Sequence, residues 1–372
     1  MSQSSVSVFD RGTRLLREQP GAAVLWLIAV WLLLDLVLGL ASGRIAVSRV
    51  ATYTWDGITL GLVLGLAGVG LSMTYSILNF ANFAHGDYIT AGAFSGWSTT
   101  YLLSGLGSNA SIGSLILVGA GGTVFAGDLG INVAAQPLAI ILGLVVAAVV
   151  TVLLSLGMDR VVFKPLRNEE GITLLIASIG IALTVRYLIV FVFQQSTRGV
   201  TANVPGWKVH IVDGVLNVSY HEATLFIVSV ALMLGVHFVL QSTKLGKAMR
   251  AMADNKDLAQ VTGIPTERVV RATWIIGGAL TGASGYLIAL ERGTLGYNLG
   301  WLLLLLIFAA VILGGIGSIY GAIGGGLVIG LASKVSLIWL PEASFARPAA
   351  FLIMILILIY KPSGLFSGRS TA

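Results

Sequence analysis

Gly57-Ile58-Thr59-Leu60-Gly61-Leu62-Val63-Leu64-Gly65-Leu66-Ala67-Gly68-Val69-Gly70-Leu71-Ser72-Met73-Thr74-Tyr75-Ser76-Ile77 contains no Asp, Glu, Lys or Arg. A helix needs roughly 20 such residues to cross about 30 Å of hydrocarbon. Comparable runs lie at 22–40, 86–104, 136–158, 172–193, 222–241, 271–290, 301–317, 321–340 and 348–360. The pattern predicts an all-α fold, a polytopic transmembrane helix bundle of about ten spans. Composition agrees: 56% of the 372 residues are apolar, 10% are charged, and mean hydropathy is +0.93. A soluble domain carries about 25% charge, so much of this surface faces lipid. The bilayer is the first partner.

The net charge of +6 does not imply a nucleic-acid partner, because the basic residues sit in the gaps between apolar runs. Arg11, Arg14 and Arg17 precede the first run, and Arg160, Lys164 and Arg167 follow the fourth. Lys244, Lys247, Arg250, Lys256, Arg268 and Arg271 separate the sixth and seventh, and Lys361 and Arg369 follow the last. If every run crosses once, all four clusters share one side, which the positive-inside bias makes the cytoplasm. Both termini then lie inside, with 1–21 and 367–372 as short flanking segments of a membrane domain at 22–366. Arg44, Arg49, Arg198, Lys208, Arg292 and Arg347 fall outside. The first run is longer than a usual signal-peptide core and is interrupted by Asp35, so it is read as a retained helix.

The chain has no cysteine, which excludes disulfides, thiol catalysis and Cys-ligated metals. His85, His210, His221 and His237 are far apart, so neither a metal nor a cofactor is expected. Residues 105–135, rich in Gly, Ser and Ala, predict an external insert or re-entrant flap. Residues 194–221 predict an external loop, in which Asn217-Val218-Ser219 is a weak glycosylation sequon. The 47 glycines suit close helix packing. Those at Gly314, Gly315, Gly317, Gly321 and Gly324–Gly326 could also break helices beside a pathway.

The polar residues Asn79, Asn82, His85, Asp87 and Tyr88 sit where the second span meets the third. Such groups are costly in lipid and should face the bundle interior, a water-filled space or an interface. Asp35, Arg186 and His237 within spans also need interior partners, and an Asp35–Arg186 pair is one possibility. His85 with Asp87 lacks any nucleophile or metal ligand at a set spacing, which leaves an intramembrane enzyme the weakest reading.

The loop at 242–270 holds Gly246-Lys247-Ala248-Met249-Arg250-Ala251-Met252-Ala253-Asp254-Asn255-Lys256-Asp257-Leu258-Ala259, then Gly263 and Pro265. It predicts a short helix ended by Gly263 and Pro265, with Met249, Met252, Leu258 and Ala259 as an apolar stripe. Such a face suits either a groove in a partner protein or the lipid headgroups.

This segment resembles the coupling loop of ATP-binding-cassette (ABC) importer permeases of the branched-chain amino-acid (leucine/isoleucine/valine) family. Four further elements follow that family's order: Asn82-Phe83-Ala84-His85-Gly86-Asp87, Phe163-Lys164-Pro165-Leu166-Arg167 with Ile176–Gly180, Leu313-Gly314-Gly315-Ile316-Gly317-Ser318, and Pro362-Ser363-Gly364-Leu365-Phe366. Together they cover most of 57–366. The chain departs at the 105–135 insert, at Tyr320 where proline is common, and at the repeated Asn79-Phe80 step.

The resemblance implies a permease subunit of a prokaryotic cell-membrane importer. Its coupling residues would be Gly246, Lys247, Met249, Arg250, Met252, Asp254, Asn255, Leu258, Ala259 and Gly263. The solute path would involve Asn79, Asn82, Phe83, His85, Gly86, Asp87, Gly314, Gly315 and Gly317. No G-x-x-x-x-G-K-[ST] phosphate loop is present. The implied partners are therefore two separate ABC ATPase subunits, a second homologous permease subunit and an external solute-binding protein. The cargo would be a branched-chain amino acid or a related small polar solute. From another class, an ion-coupled secondary carrier would use Asp35, His85, Asp87 or Arg186 as a relay.

Overall fold

The computed structural model describes residues 20–106, 129–202 and 204–366. The expected flanking segments, apart from Pro20 and Gly21, and the middle of the 105–135 insert lie outside the described residues.

Each expected span coincides with a helix: α1 (Pro20–Ala41), α2 (Val47–Leu78), α3 (His85–Ser104), α4 (Pro137–Met158), α5 (Gly171–Phe193) and α6 (Tyr220–Ser242). The loop at 242–270 contains α7 (Lys244–Asp254) and α8 (Lys256–Val261), followed by α9 (Thr266–Arg292), α10 (Leu299–Gly314), α11 (Ile319–Val335) and α12 (Ala346–Tyr360). Seven of the helical segments described are long and apolar enough to cross a membrane. The fold is an all-α, multi-pass bundle.

Burial separates a centre from a rim. The apolar window of α2 is 94% buried and that of α12 only 6%. α2 packs along α11 through small residues. A Cβ on Gly61 would lie 2.8 Å from Leu327 Cα, and one on Gly326 would lie 2.7 Å from Gly65 Cα. In lipid, where apolar burial adds little drive, such backbone contact holds helices together. On α4, α5 and α6, exposed Leu153, Leu183 and Leu234 give the bundle a lipid-facing rim.

The 194–221 stretch is more ordered than an open loop. β2 (Gly206–Ile211) and β3 (Gly214–Ser219) form an antiparallel hairpin, with Ile211 opposite Gly214. Its turn residue Asp213 accepts hydrogen bonds from Val47 N (2.5 Å) and Ser48 N (2.9 Å), capping α2 where Ala46 offers no side-chain acceptor. These hydrogen bonds hold its carboxyl below the usual carboxylate range. β1 (Arg198–Gly199) pairs with β4 (Thr294–Leu295).

The opposite end gathers the basic residues. Arg167 bonds Asp159 at the end of α4 and Glu267 in the first turn of α9, each at 2.6 Å, and Lys164 reaches Glu267 at 3.0 Å. The chain after α12 returns to the same end. Leu365 N donates to Leu313 O (2.8 Å) and Phe366 N to Gly314 O (3.1 Å). Two orphan carbonyls of α10 are thereby satisfied.

Candidate functional site

α2 ends at Leu78 because Asn79 turns left-handed (φ 57°), with its N–H on Tyr75 O. The next helix does not start at the same level. Asn79 lies beside Gly171 at the start of α5, whereas Phe83 N donates to Ser178 Oγ (3.0 Å), seven residues further along α5. At 1.5 Å rise per residue, the 79–84 segment climbs about 10 Å into the bundle as non-helical backbone. Ser178 Oγ serves its backbone, accepting from Phe83 N and donating to Ala81 O (3.5 Å), the kind of partner that irregular backbone inside a membrane requires. Asn82 Oδ1 accepts from Ala84 N (3.1 Å), the residue before α3.

His85 is buried, and its Nε2–H donates to Ala67 O of α2 (2.9 Å), with Thr281 Oγ1 at 3.4 Å. The bond ties the first residue of α3 to the middle of α2. Gly86 packs against Gly300, and Gly300 N donates to Thr90 Oγ1 (3.0 Å). α10 therefore begins level with the start of α3. Its 16 residues span about 24 Å, less than the hydrocarbon thickness.

Asp87, wholly buried, accepts from Arg186 Nε (3.0 Å) and Nη2 (2.9 Å). The Arg186 guanidinium also stacks 4.5 Å from the Trp301 ring. This corrects the Asp35–Arg186 pairing. Asp35 instead meets Arg44 (2.5 Å) and Trp339 Nε1 (2.9 Å). Arg186 takes a carboxylate on α3 that sequence distance hides. Phe83 packs on Phe308 at 5.0 Å. The buried Asn82 Nδ2 has no hydrogen-bond partner among the described residues.

Asn82, Phe83, His85, Gly86 and Asp87 thus gather at one depth, with Asn79 below them. Gly314, Gly315 and Gly317 do not join them. Gly315 (φ 106°) and Gly317 (φ 84°) shape the turn between α10 and α11. Gly317 shares a pocket with Met73, Ser76, Leu240, Met249 and Arg250. Tyr320, just past this turn, accepts from Gln241 Nε2 (3.2 Å) and shares a hydrogen bond with His237 Nδ1 (2.5 Å), tying α11 to α6.

The 242–270 loop is two helices rather than one. Thr243 Oγ1 caps α7 by accepting from Gly246 N (3.0 Å), and Asn255 Oδ1 caps α8 by accepting from Leu258 N (2.9 Å). Gly246 sits against Leu240, and Arg250 Nη1 donates to Leu240 O (2.6 Å) at the end of α6. Gly263 (φ 85°) ends the pair.

The expected exposed methionine face is turned inward. Met249, Met252 and Ala259 are 4%, 2% and 3% exposed, whereas Leu258 and Val261 are 61% and 85% exposed. Periodicity gave an apolar stripe, but the bundle's own end offered the nearer groove. Lys247, Asp254 and Asn255 are exposed beside this tip. Ser178, Thr281 and Trp301 complete the site. Ser178 lies in the Ile176–Gly180 element, but nothing in the local sequence of Thr281 or Trp301 marks them.

A bundle in which α3 and α10 start inside, α3 led into by the irregular 79–84 backbone, defines a multi-pass membrane protein of the interrupted-helix kind found among transporters. The family described as branched-chain amino acid transport system / permease component matches residues 53–360, and the chain belongs to it. The chain is 28% identical over 313 residues to the high-affinity branched-chain amino acid transport system permease protein LivH of Escherichia coli (84% of this chain, 93% of the relative). It is 26% identical over 313 residues to the corresponding protein BraD of Pseudomonas aeruginosa (83% and 93%). It is 29% identical over 319 residues to a probable LivH of Methanocaldococcus jannaschii (82% and 88%). No solved structure matches.

Proposed function

We propose that the chain is the membrane-spanning subunit of an ABC importer, moving branched-chain amino acids or a related small polar solute on power from separate ATPase subunits. The carrying observation is the placement of α7 and α8. The Met249 side of α7 sits on the ends of α2, α6 and the 315–319 turn, while Leu258 and Val261 of α8 are exposed. A small exposed apolar tip flanked by charges suits a groove in a partner protein.

The ten helices cross the membrane, with both termini and the α7–α8 tip in the cytoplasm of a prokaryotic cell. Two ATPases, a second similar permease subunit and an external solute-binding protein complete the assembly. Closure of the ATPases pushes α7, which bears on the end of α2 and so on the 79–84 segment that α2 leads into. Switching of that segment opens the path at Asn82 and Phe83, where the Asn82 amide offers a donor to the solute. Gly314, Gly315 and Gly317 then serve the coupling end rather than the path.

The carrier reading finds less support. Asp35–Arg44 and Asp87–Arg186 are two separate pairs, and His85 is engaged by Ala67. No continuous relay joins them among the described residues.

The test is Leu258→Glu with Val261→Glu. It should abolish co-purification of the ATPase subunits while the chain still inserts in the membrane. Undiminished association would remove the docking role. Asn82→Ala should lower solute uptake with assembly unchanged, and wild-type uptake would take Asn82 out of the path.

A further inference from the structure

A cavity of about 750 Å³ opens at the basic end of the bundle, between the close of α4 and the first turns of α9. Leu156, Asp159 and Glu267 contribute to its wall, together with four cations: Arg160, Lys164, Arg167 and Arg271. The two carboxylates are already taken. Arg167 binds both, and Lys164 binds Glu267. Arg160 and Arg271 are exposed and form neither an ion pair nor a hydrogen bond among the described residues. The cavity therefore carries two uncompensated guanidinium groups on a framework held by ion pairs.

Its surroundings narrow the ligand. Leu153, one turn before Leu156 on α4, is 64% exposed, and Val161, beside Arg160, is 72% exposed. Ile275, one turn beyond Arg271 on α9, is also exposed. An apolar surface facing lipid thus runs directly into the cationic cavity. A soluble anion would use only the cations. A phospholipid would use both surfaces, its chains on the apolar wall and its phosphate between the guanidiniums, which match phosphate oxygens in a bidentate fork.

We propose that this cavity is a binding site for the phosphodiester headgroup of an anionic phospholipid, held chiefly by Arg160 and Arg271. Lys164 and Arg167 shape the site through their carboxylate partners. The lipid lies against the base of the loop that carries α7 and α8, so its occupancy steadies that base.

The experiment uses the full chain in mild detergent, with phosphatidylglycerol and phosphatidylcholine offered together and retained lipid read by native mass spectrometry. Wild type should retain phosphatidylglycerol in preference, by on the order of tenfold. Arg160→Gln with Arg271→Gln should lose that preference, and Arg160→Lys with Arg271→Lys should keep only part of it, because the ammonium restores charge but not the bidentate fork. Lys208→Gln, on the exposed hairpin, should change nothing. Equal retention of both lipids by wild type would overturn the proposal without any variant. So would a Gln variant with undiminished preference. Release of the lipid by inorganic phosphate at millimolar concentration would assign the cations to a free anion. Loss of ATPase association with unchanged lipid retention would assign them to the protein partner, and either result overturns the lipid assignment.

Discussion

Replacing Asp87 by alanine leaves the Arg186 guanidinium, only 13% exposed, without its bidentate partner. Arginine cannot shed its charge at accessible pH, so the cost cannot be relieved by deprotonation. Breaking a buried pair by removing one partner costs about 3–5 kcal/mol, whereas replacing both by apolar groups is often near neutral. At about 1.4 kcal/mol per tenfold, the single change lowers the folding equilibrium by a factor of about 10² to 10³ or more. Arg186→Leu strands the Asp87 carboxylate, which has no solvent exposure, and should cost a similar amount. The double variant Asp87→Ala/Arg186→Leu should cost less than the two singles together, by about 2 kcal/mol or more. The assay is equilibrium unfolding of the purified chain by sodium dodecyl sulfate in mixed micelles, run as a double-mutant cycle. Singles costing under about 1 kcal/mol, or a double equal to their sum, would refute the buried pair as a structural lock at the start of α3.

Gly326→Leu forces a side chain into the backbone of α2 at Gly65. It should cost about 1–3 kcal/mol or more in the same titration, and a cost near zero would deny the close seam. Deleting Ser363–Phe366 exposes the Leu313 and Gly314 carbonyls and should lower stability by about 1–3 kcal/mol per buried group left unpaired. Unchanged stability would show that these caps do not hold the end of α10. Asp213 has a lowered carboxyl pKa because it caps α2, so its contribution is full above the ordinary carboxylate pKa and fades as pH falls through the lower folded value. The midpoint gap between wild type and Asp213→Ala should therefore be widest near neutrality and narrow below about pH 4. A gap independent of pH would refute the charged cap.

The helices are legible because a bilayer demands long apolar runs, and each run at 57–77, 136–158 or 222–241 falls on a helix. The break at 79–84 was visible only as misplaced polarity. What makes it possible is the supply of partners from Ser178 and Ala67, which no local pattern reports. The ion pairs show the same limit. Asp35, Asp87 and Arg186 each needed a partner, but composition could not rank pairings across 99 residues of separation. For α7, periodicity identified an apolar face at Met249 and Met252 without saying that the bundle itself would cover it. The hairpin was readable in principle, since Asp213-Gly214 between β-prone residues is a turn signal. The polar character of the surrounding loop masks it.

The most direct test of the coupling role uses the absence of native cysteine, which makes Leu258→Cys a unique thiol. In intact cells and in inside-out vesicles, it should react with a membrane-impermeant thiol reagent only from the cytoplasmic side. It should also crosslink to an ATPase subunit when short bifunctional reagents are added. Reaction from the external side, or full solute uptake with no ATPase within crosslinking reach of Leu258→Cys, would contradict the idea that this tip is where a separate motor takes hold.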